Sequence, residues 1–328
     1  MERGRREFLQ LAAGAAALPS VSRIDDATAQ AYPTRPITMI VPAPAGGLTD
    51  TVGRILSERM RKSLGQPVVI ENVGGADGSI GAARSARAKP DGYTIDLGYL
   101  GNHVLNGAVY SLQYDILNDF APISPLTTSP SALFAKRSTD ATDVNELIAW
   151  LKSSSNRVSL GVTTVGWRIL AAFLQKEAET QLILVPYRGS APARQDLMAG
   201  RIDLLFDTLD ALPLMRAGSI KAYAVTSETR SVLAPDVPTF REVGFPRLTW
   251  LAWLGFFAPK ATPTDIIGRL NAAVIDTLAD QEVRSRLIEL GLEVFPRERQ
   301  TPETLGALVK ADAERTWPII KAAGIKPE

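Results

Sequence analysis

The chain has 328 residues, of which 45% are hydrophobic and 22% charged, a balance typical of a globular protein with room for two domains. Its formal net charge of +1 lacks the basic excess that holds a phosphate backbone, so no nucleic-acid partner is expected. Cysteine is absent and histidine occurs once, which excludes thiolate metal sites and leaves little material for zinc; we expect no metal and no cofactor.

Residues 1–31 have the three parts of an export signal in the right order. A basic start that contains Arg5–Arg6 precedes the alanine-rich apolar stretch Leu9–Leu18, and Ala29–Ala31 has the form of a cleavage site. The arginine pair, followed by phenylalanine and leucine, indicates the twin-arginine route. The sequence therefore predicts an exported, periplasmic protein whose mature chain begins near Tyr32.

Beyond this segment, short apolar runs alternate with helical patterns, which favours parallel sheets with helices on both faces. An apolar face over 49–64 predicts the first helix. Thr262–Asp265 reads as a capping box with proline at the first helical position, and Thr301–Glu303 opens a last helix in the same way. The predicted strands are Ile37–Val41, Val68–Ile70, Tyr93–Leu97, Val158–Leu160, Leu182–Val185, Leu204–Phe206 and Ala222–Val225.

Two segments interrupt this alternation, the proline-containing 119–138 and the aromatic-rich 246–260. Both have the extended character of crossings between domains. If both cross, residues 129–250 form a domain inserted into another that is made of 32–128 and 251–328. Two connections would allow the domains to close on a ligand in the cleft.

The first predicted strand ends in a glycine turn, Ala45-Gly46-Gly47, and Asp50 follows in the first turn of the next helix. Glycine lets the backbone approach a ligand, and the free amides at a helix start attract anions. A plain strand-to-helix turn explains the same residues, and the sequence leaves both alternatives open. A second turn, Gly74–Gly81, lacks the glycine spacing of a dinucleotide-binding fingerprint.

Further candidates lie near strand ends, where ligands bind in open α/β sheets. His103 would be the sole base of any triad, and because no G-x-S-x-G elbow is present we expect it in a pocket wall or loop rather than in catalysis. Trp167 and Arg168 offer a flat apolar wall and a fork of donors for a carboxylate. The alternative is a core tryptophan beside a solvated arginine. Arg188 and Asp207 also lie at the ends of predicted strands.

Many short runs resemble, in chain order, the Bug-type receptors of tripartite tricarboxylate transporters. The resemblance covers essentially all of 32–325. The matching runs are Tyr32–Ile37, Val41-Pro42, Gly46–Asp50, Gly65–Asn72, Lys89–Thr94, Val185–Ala193, Ala199–Asp203, Ala224–Ser227 and Pro235–Thr239.

The resemblance implies an α/β, two-domain periplasmic binding protein of the Venus-flytrap, type II-like kind. Each domain would be a mainly parallel sheet flanked by helices, with two crossover connections. It further implies a monomer that captures a small organic acid, a carboxylate or dicarboxylate, and presents it to membrane permease subunits. An exported enzyme acting on an organic acid and a sensory receptor remain alternatives, although the scarcity of histidine and cysteine argues against an enzyme.

In this family, amides of the first two βα loops hold one carboxylate of the ligand, and the other domain selects its far end. Ala43 stands where the family usually has an aromatic residue, and Arg168 where many members have histidine. We therefore expect a ligand bulkier than succinate or malate, either aromatic or a longer dicarboxylate. The ligand-binding residues that the resemblance and the strand ends predict are Ala43, Ala45, Gly46, Gly47, Thr49, Asp50, Gly75, Ala76, Ser79, Tyr99, His103, Thr163, Thr164, Trp167, Arg168, Asp207 and Thr208.

Overall fold

The computed structural model describes residues 32–187, 189–322 and 324, so the predicted export signal and the candidate Arg188 lie outside the described residues. The strands are β1 (Ile37–Val41), β2 (Val68–Asn72), β3 (Thr94–Tyr99), β4 (Phe120–Ser129), β5 (Ser131–Lys136), β6 (Ser159–Val162), β7 (Ile183–Pro186), β8 (Leu204–Thr208), β9 (Ile220–Val225), β10 (Ala252–Pro259) and β11 (Glu293–Val294). The helices are α1 (Leu48–Leu64), α2 (Ser79–Ala86), α3 (Asn106–Val109), α4 (Val144–Ser153), α5 (Val165–Glu177), α6 (Ser190–Met198), α7 (Leu212–Arg216), α8 (Thr264–Ala279), α9 (Gln281–Glu289) and α10 (Pro302–Ala322).

The strands form two sheets, with the orders β11-β4-β10-β3-β1-β2 and β7-β6-β8-β5-β9. The first sheet uses strands from both ends of the chain, and the second uses strands from its middle. The chain passes from the first sheet to the second at Pro130, between β4 and β5, and returns through residues 226–251 to β10.

Both sheets are mixed rather than mainly parallel. β1 pairs in parallel with β2 and β3, and β6 pairs in parallel with β7 and β8, as strand–helix alternation predicts. In contrast, β10 lies antiparallel to β3 and β4, and β5 lies antiparallel to β8 and β9. These strands enter a sheet directly from the other sheet, so no crossover helix is needed to make them parallel.

The helix starts show which capping predictions hold. α1 confirms the helix predicted over 49–64, and its apolar face is buried. The hydroxyl of Thr301 accepts from the amide of Thr304 at 3.1 Å, so α10 begins as predicted. The capping box at 262–265 is wrong: Pro263 is the residue before α8, and the Thr262 hydroxyl donates instead to the carbonyl of Pro259 at 2.7 Å.

Candidate ligand-binding site

A cleft of about 480 Å³ opens where several strands of both sheets end, a size that suits a small organic ligand. Its walls come from the start of α1, the turn after β3, the start of α5, the start of α6, and the return segment into β10. The lining residues are Leu48, Thr49, Asp77, Tyr99, Leu100, Gly101, Leu105, Thr127, Ser129, Thr163, Thr164, Val165, Gly166, Trp167, Gly189, Ser190, Thr208, Trp250, Ala252, Trp253, Leu254 and Leu292.

Three helices begin at this cleft. They are α1, α5 and α6, with 17, 13 and 9 residues, and their first residues, Leu48, Val165 and Ser190, all line it. The start of a helix carries unpaired amides and a partial positive charge, both of which favour an anion. Three such starts around one space give it a positive character without a lysine or arginine among the described lining residues.

Asp50 holds the first glycine turn in shape. Its carboxylate, with 2% of the residue exposed, accepts from the amide of Gly46 at 2.8 Å, from Asn72 Nδ2 at 3.0 Å and from Arg54 Nε at 3.0 Å. The hydrogen bond from Arg54, aided by those from Gly46 and Asn72, outweighs burial and lowers the pKa of Asp50 to about 2. Asn72 also reaches the carbonyl of Ala43 at 3.2 Å. Asp50 is therefore ionised, and its carboxylate stabilises the loop.

The second glycine turn has an unusual backbone. Ala76, Asp77 and Gly78 have φ of +47°, +49° and +82°, a run in the left-handed region that non-glycine residues rarely adopt. The Asp77 carbonyl accepts from the Tyr99 hydroxyl at 2.9 Å and from Asn106 Nδ2 at 3.0 Å, which fixes the turn. A Cβ at position 78 would overlap the Tyr99 hydroxyl, so glycine is required there.

Three tryptophans form the apolar wall. Trp167 lies in the first turn of α5 and stacks on Phe206 with ring centres 6.4 Å apart. Trp253 Nε1 donates to Asp312 Oδ2 at 2.9 Å, and the guanidinium of Arg315 lies over Trp250 at 5.4 Å. These contacts hold the indole rings in fixed orientations, as a preformed wall requires.

Hydroxyl groups also line the cleft, and Asp207 orients one of them, that of Ser190. Asp207, with 1% exposed, accepts from the Ser190 hydroxyl at 2.8 Å and from the amide of Thr208 at 2.9 Å, and it pairs with Arg194. It therefore lies behind Ser190 and Thr208 rather than on the cleft surface. The residues with a lining hydroxyl on a serine or threonine are Thr49, Thr127, Ser129, Thr163, Thr164, Ser190 and Thr208.

The cleft brings together six of the predicted residues. They are Thr49, Tyr99, Thr163, Thr164, Trp167 and Thr208. The other predicted residues are not among the lining residues: Ala43, Ala45, Gly46, Gly47, Asp50, Gly75, Ala76, Ser79, His103, Arg168 and Asp207.

His103 and Arg168 are not among the residues that line the cleft. His103 is fully buried, stacks on Phe257 at 4.0 Å, and has Nε2 3.2 Å from Asp96 Oδ2. It belongs to the core beneath the turn after β3. Arg168 is half-buried in the first turn of α5 and is not among the lining residues, whereas its neighbour Trp167 is.

The predicted ligand-binding residues did not include Ser190, Trp250 and Trp253, which line the cleft, and Asp77 was expected only as part of the second βα loop. Ser190 was detectable, because it opens the helix that follows β7. The two tryptophans lay in a segment predicted to cross between domains, and only the course of that crossing brings them to the cleft. Within residues 32–187, 189–322 and 324, no cluster of three metal-ligating side chains occurs, and no helix has the length and apolarity to cross a bilayer.

Comparison with known proteins places the chain in a family. The family model for the tripartite tricarboxylate transporter family receptor matches residues 52–325. The protein BugT of Bordetella pertussis is 32% identical over 311 residues, covering 91% of this chain and 92% of BugT.

Two solved structures from Rhodopseudomonas palustris share the fold. MatC, with bound malate, is 36% identical over 88% of this chain and all of its own, with a TM-score of 0.72. A second protein, solved with adipate, is 32% identical over 89% of this chain and 98% of its own, with a TM-score of 0.73. The two-domain α/β binding-protein fold is therefore confirmed, and this chain belongs to the Bug-type receptors of the tripartite tricarboxylate transporter family, which are periplasmic solute-binding proteins.

Proposed function

We propose that this protein captures a small organic acid in the cleft and delivers it to the membrane permease subunits of a tripartite tricarboxylate-type transporter. The observation that carries the proposal is the meeting of three helix starts at one cleft whose described lining contains no lysine or arginine. Such a site holds an anion by amides and hydroxyls rather than by a permanent cation. The malate and adipate bound by two relatives support a carboxylate as that anion.

We assign the ligand's carboxylate to the start of α1. The turn at Ala45–Gly47 leads into Leu48 and Thr49, which line the cleft. Asp50 keeps this turn in place from behind. The body of the ligand would then lie against the tryptophans, and the hydroxyls of the second sheet would reach its far end.

The predicted export signal supports a periplasmic location for this function. Cleavage after Ala31 would release a chain that begins at Tyr32. Intact-mass measurement of the protein recovered from a periplasmic extract should give the mass of 32–328. Recovery of the full-length chain only in the cytoplasmic fraction would contradict export.

The function is tested by identifying the ligand and measuring its binding. Protein purified without added ligand is denatured, and the released small molecules are identified by mass spectrometry; isothermal titration then measures a panel of mono- and dicarboxylates. We expect one organic acid to bind with 1:1 stoichiometry and to be recovered unchanged after long incubation. Absence of binding by every acid would overturn the proposal, and a chemically altered acid would favour an enzyme.

A further inference from the structure

We infer that the ligand is a hydroxy acid, and that Ser190 and Thr208 select its hydroxyl group by offering hydrogen-bond acceptors to the cleft. The inference rests on the proposed function, because it names the class of organic acid that the same cleft accepts. The observation that carries it is the direction of three hydrogen bonds at the corner of the cleft formed by these two residues.

At this corner the donor groups point away from the cleft. Ser190 lines the cleft from the start of α6, and Thr208 lines it from the end of β8. The Ser190 hydroxyl donates to Asp207 Oδ1 at 2.8 Å, and the same oxygen accepts from the Thr208 amide at 2.9 Å. The Thr208 hydroxyl donates to Asp210 Oδ1. The shared oxygen of Asp207 brings the two residues side by side, and three of their donors are directed at carboxylates.

The chemistry of the acceptors sets the direction of these hydrogen bonds. An ionised carboxylate has no hydrogen to give, so a hydroxyl group that meets one must donate. Arg194 lies between the two carboxylates, because its Nε donates to Asp207 Oδ2 and its Nη2 donates to Asp210 Oδ1. Burial opposes the charge of this guanidinium, but its hydrogen bonds to both carboxylates outweigh burial and raise the pKa of Arg194. A guanidinium in this position favours the ionised form of its partners.

A hydroxyl group whose hydrogen is used in this way still has lone pairs to offer. Among the residues that the structure describes, neither the Ser190 hydroxyl oxygen nor the Thr208 hydroxyl oxygen receives a hydrogen bond. Both oxygens therefore present acceptors to the cleft. A ligand that covers them and excludes water must supply a donor, because buried acceptors that lose their hydrogen bonds are costly.

A hydroxyl group supplies that donor, and it adds to the acid rather than replacing a carboxylate. The amides at the starts of α1, α5 and α6 still favour anionic groups, whether the acid has one carboxylate or two. The ligand that satisfies both kinds of lining group carries a carboxylate for the amides and a hydroxyl for the Ser190 and Thr208 oxygens.

The test compares acids that differ by one hydroxyl group. Isothermal titration of the mature chain with malate and succinate, and with para-hydroxybenzoate and benzoate, gives a dicarboxylate pair and a monocarboxylate pair. We expect the hydroxy acid to bind about tenfold more tightly than its partner, since a site built to pair a hydroxyl discriminates against the analogue that lacks it. The compound para-methoxybenzoate keeps the oxygen but has no hydrogen to donate, and it should bind no more tightly than benzoate.

Variants at the corner separate the acceptor role from general stability. Ser190→Ala and Thr208→Val each remove one acceptor and should weaken binding of the hydroxy acid about fivefold, with little change for the partner acid. Asp210→Asn brings an amide N–H to the Thr208 oxygen and turns the hydroxyl hydrogen toward the cleft. It should lower the preference for the hydroxy acid without removing a lining group.

Asp276→Asn is the matched control for charge. It lies on the exposed side of α8 and should leave the preference unchanged. The inference alone would be overturned if the tightest ligand among all the titrated and recovered acids lacked a hydroxyl group, or if the preference survived in all three corner variants. Failure of every acid to bind would overturn the proposed function.

Discussion

At the scale of single residues, the proposed carboxylate loop depends on side chains that never reach the cleft. The carboxylate of Asp50 accepts hydrogen bonds from the amide of Gly46, the side-chain amide of Asn72 and the guanidinium of Arg54. Asp207 does the same for Ser190 and the Thr208 amide. Buried carboxylates that accept several hydrogen bonds fix a loop because leaving any of those donors unpaired is costly.

We predict that Asp50→Ala lowers the free energy of unfolding by about 2 kcal/mol, because it removes hydrogen bonds to a buried charge. It should also weaken acid binding, since the Gly46 turn loses its support. Urea unfolding and isothermal titration measure the two effects. An unchanged urea midpoint would show that the loop is held by other contacts.

Gly47→Val tests the carboxylate loop itself. The backbone at Gly47 has a φ of −81°, and an added Cβ would meet only the Pro44 carbonyl at 3.6 Å, so the fold should tolerate a side chain. We expect binding to be abolished, because the valine fills the space where the carboxylate meets the backbone. Gly268→Val, where nothing lies within 4 Å, is the matched control and should bind normally. Micromolar affinity in the Gly47 variant would refute the loop assignment.

At the scale of elements, two capped helix starts allow the effect of a cap on stability to be distinguished from its effect on ligand binding. Asp143 caps α4, where its carboxylate accepts from the Glu146 amide at 2.9 Å, and this start is outside the cleft lining. Thr164 caps α5, accepting from the Trp167 amide at 3.4 Å, and this start lines the cleft. The two caps are therefore a matched pair.

We predict that Asp143→Ala lowers the free energy of unfolding by about 1 kcal/mol and leaves acid affinity unchanged. Thr164→Ala should lower acid affinity several-fold, because it removes a lining hydroxyl and loosens the start of α5. Urea unfolding and titration of both variants give the comparison. Equal losses of affinity would mean that binding follows global stability rather than the helix start.

At the scale of the whole molecule, several carboxyl groups link stability to pH. Arg54 holds the pKa of Asp50 at about 2, and Arg59 is the main cause of the lowered pKa of Asp280. Burial raises the pKa of Asp312, which acts in the opposite direction. The other carboxyl groups with a lowered pKa are Asp115, Asp196, Asp203 and Glu242.

We predict that the urea midpoint falls as pH drops from about 5 toward 2. A carboxyl group with a lowered pKa in the folded state stabilises the fold above its unfolded pKa of about 4, and this contribution is lost as pH falls through the folded value. The six carboxyl groups with a lowered pKa outweigh Asp312, whose contribution to the pH dependence has the reverse sign. Asp50→Asn should flatten the dependence, and a midpoint that stays constant from pH 5 to 3 would contradict the linkage.

The sequence pattern was sufficient to predict seven of the strands, because each is a short apolar run bounded by turns. It did not identify β4 and β10, whose long antiparallel pairing includes prolines and two register shifts. Proline has no backbone N–H to donate to the hydrogen-bond ladder of a sheet. The sequence of such a strand therefore resembles an irregular crossing segment as long as its partner strand is unknown. Both segments were interpreted as crossings between domains, and their role as central strands was not predicted.

By itself, the sequence determined the family, the two α/β sheets and the places where strands give way to helices, because these depend on local periodicity, on turn residues and on motifs in order. The tertiary structure alone decided which of those places share one cleft. It left His103 in the core and Arg168 outside the lining, and it brought Asp77, Trp250 and Trp253 to the surface of the cleft. The reason is physical: a strand end marks where a ligand could bind, but the side chains that face it depend on how distant segments pack together.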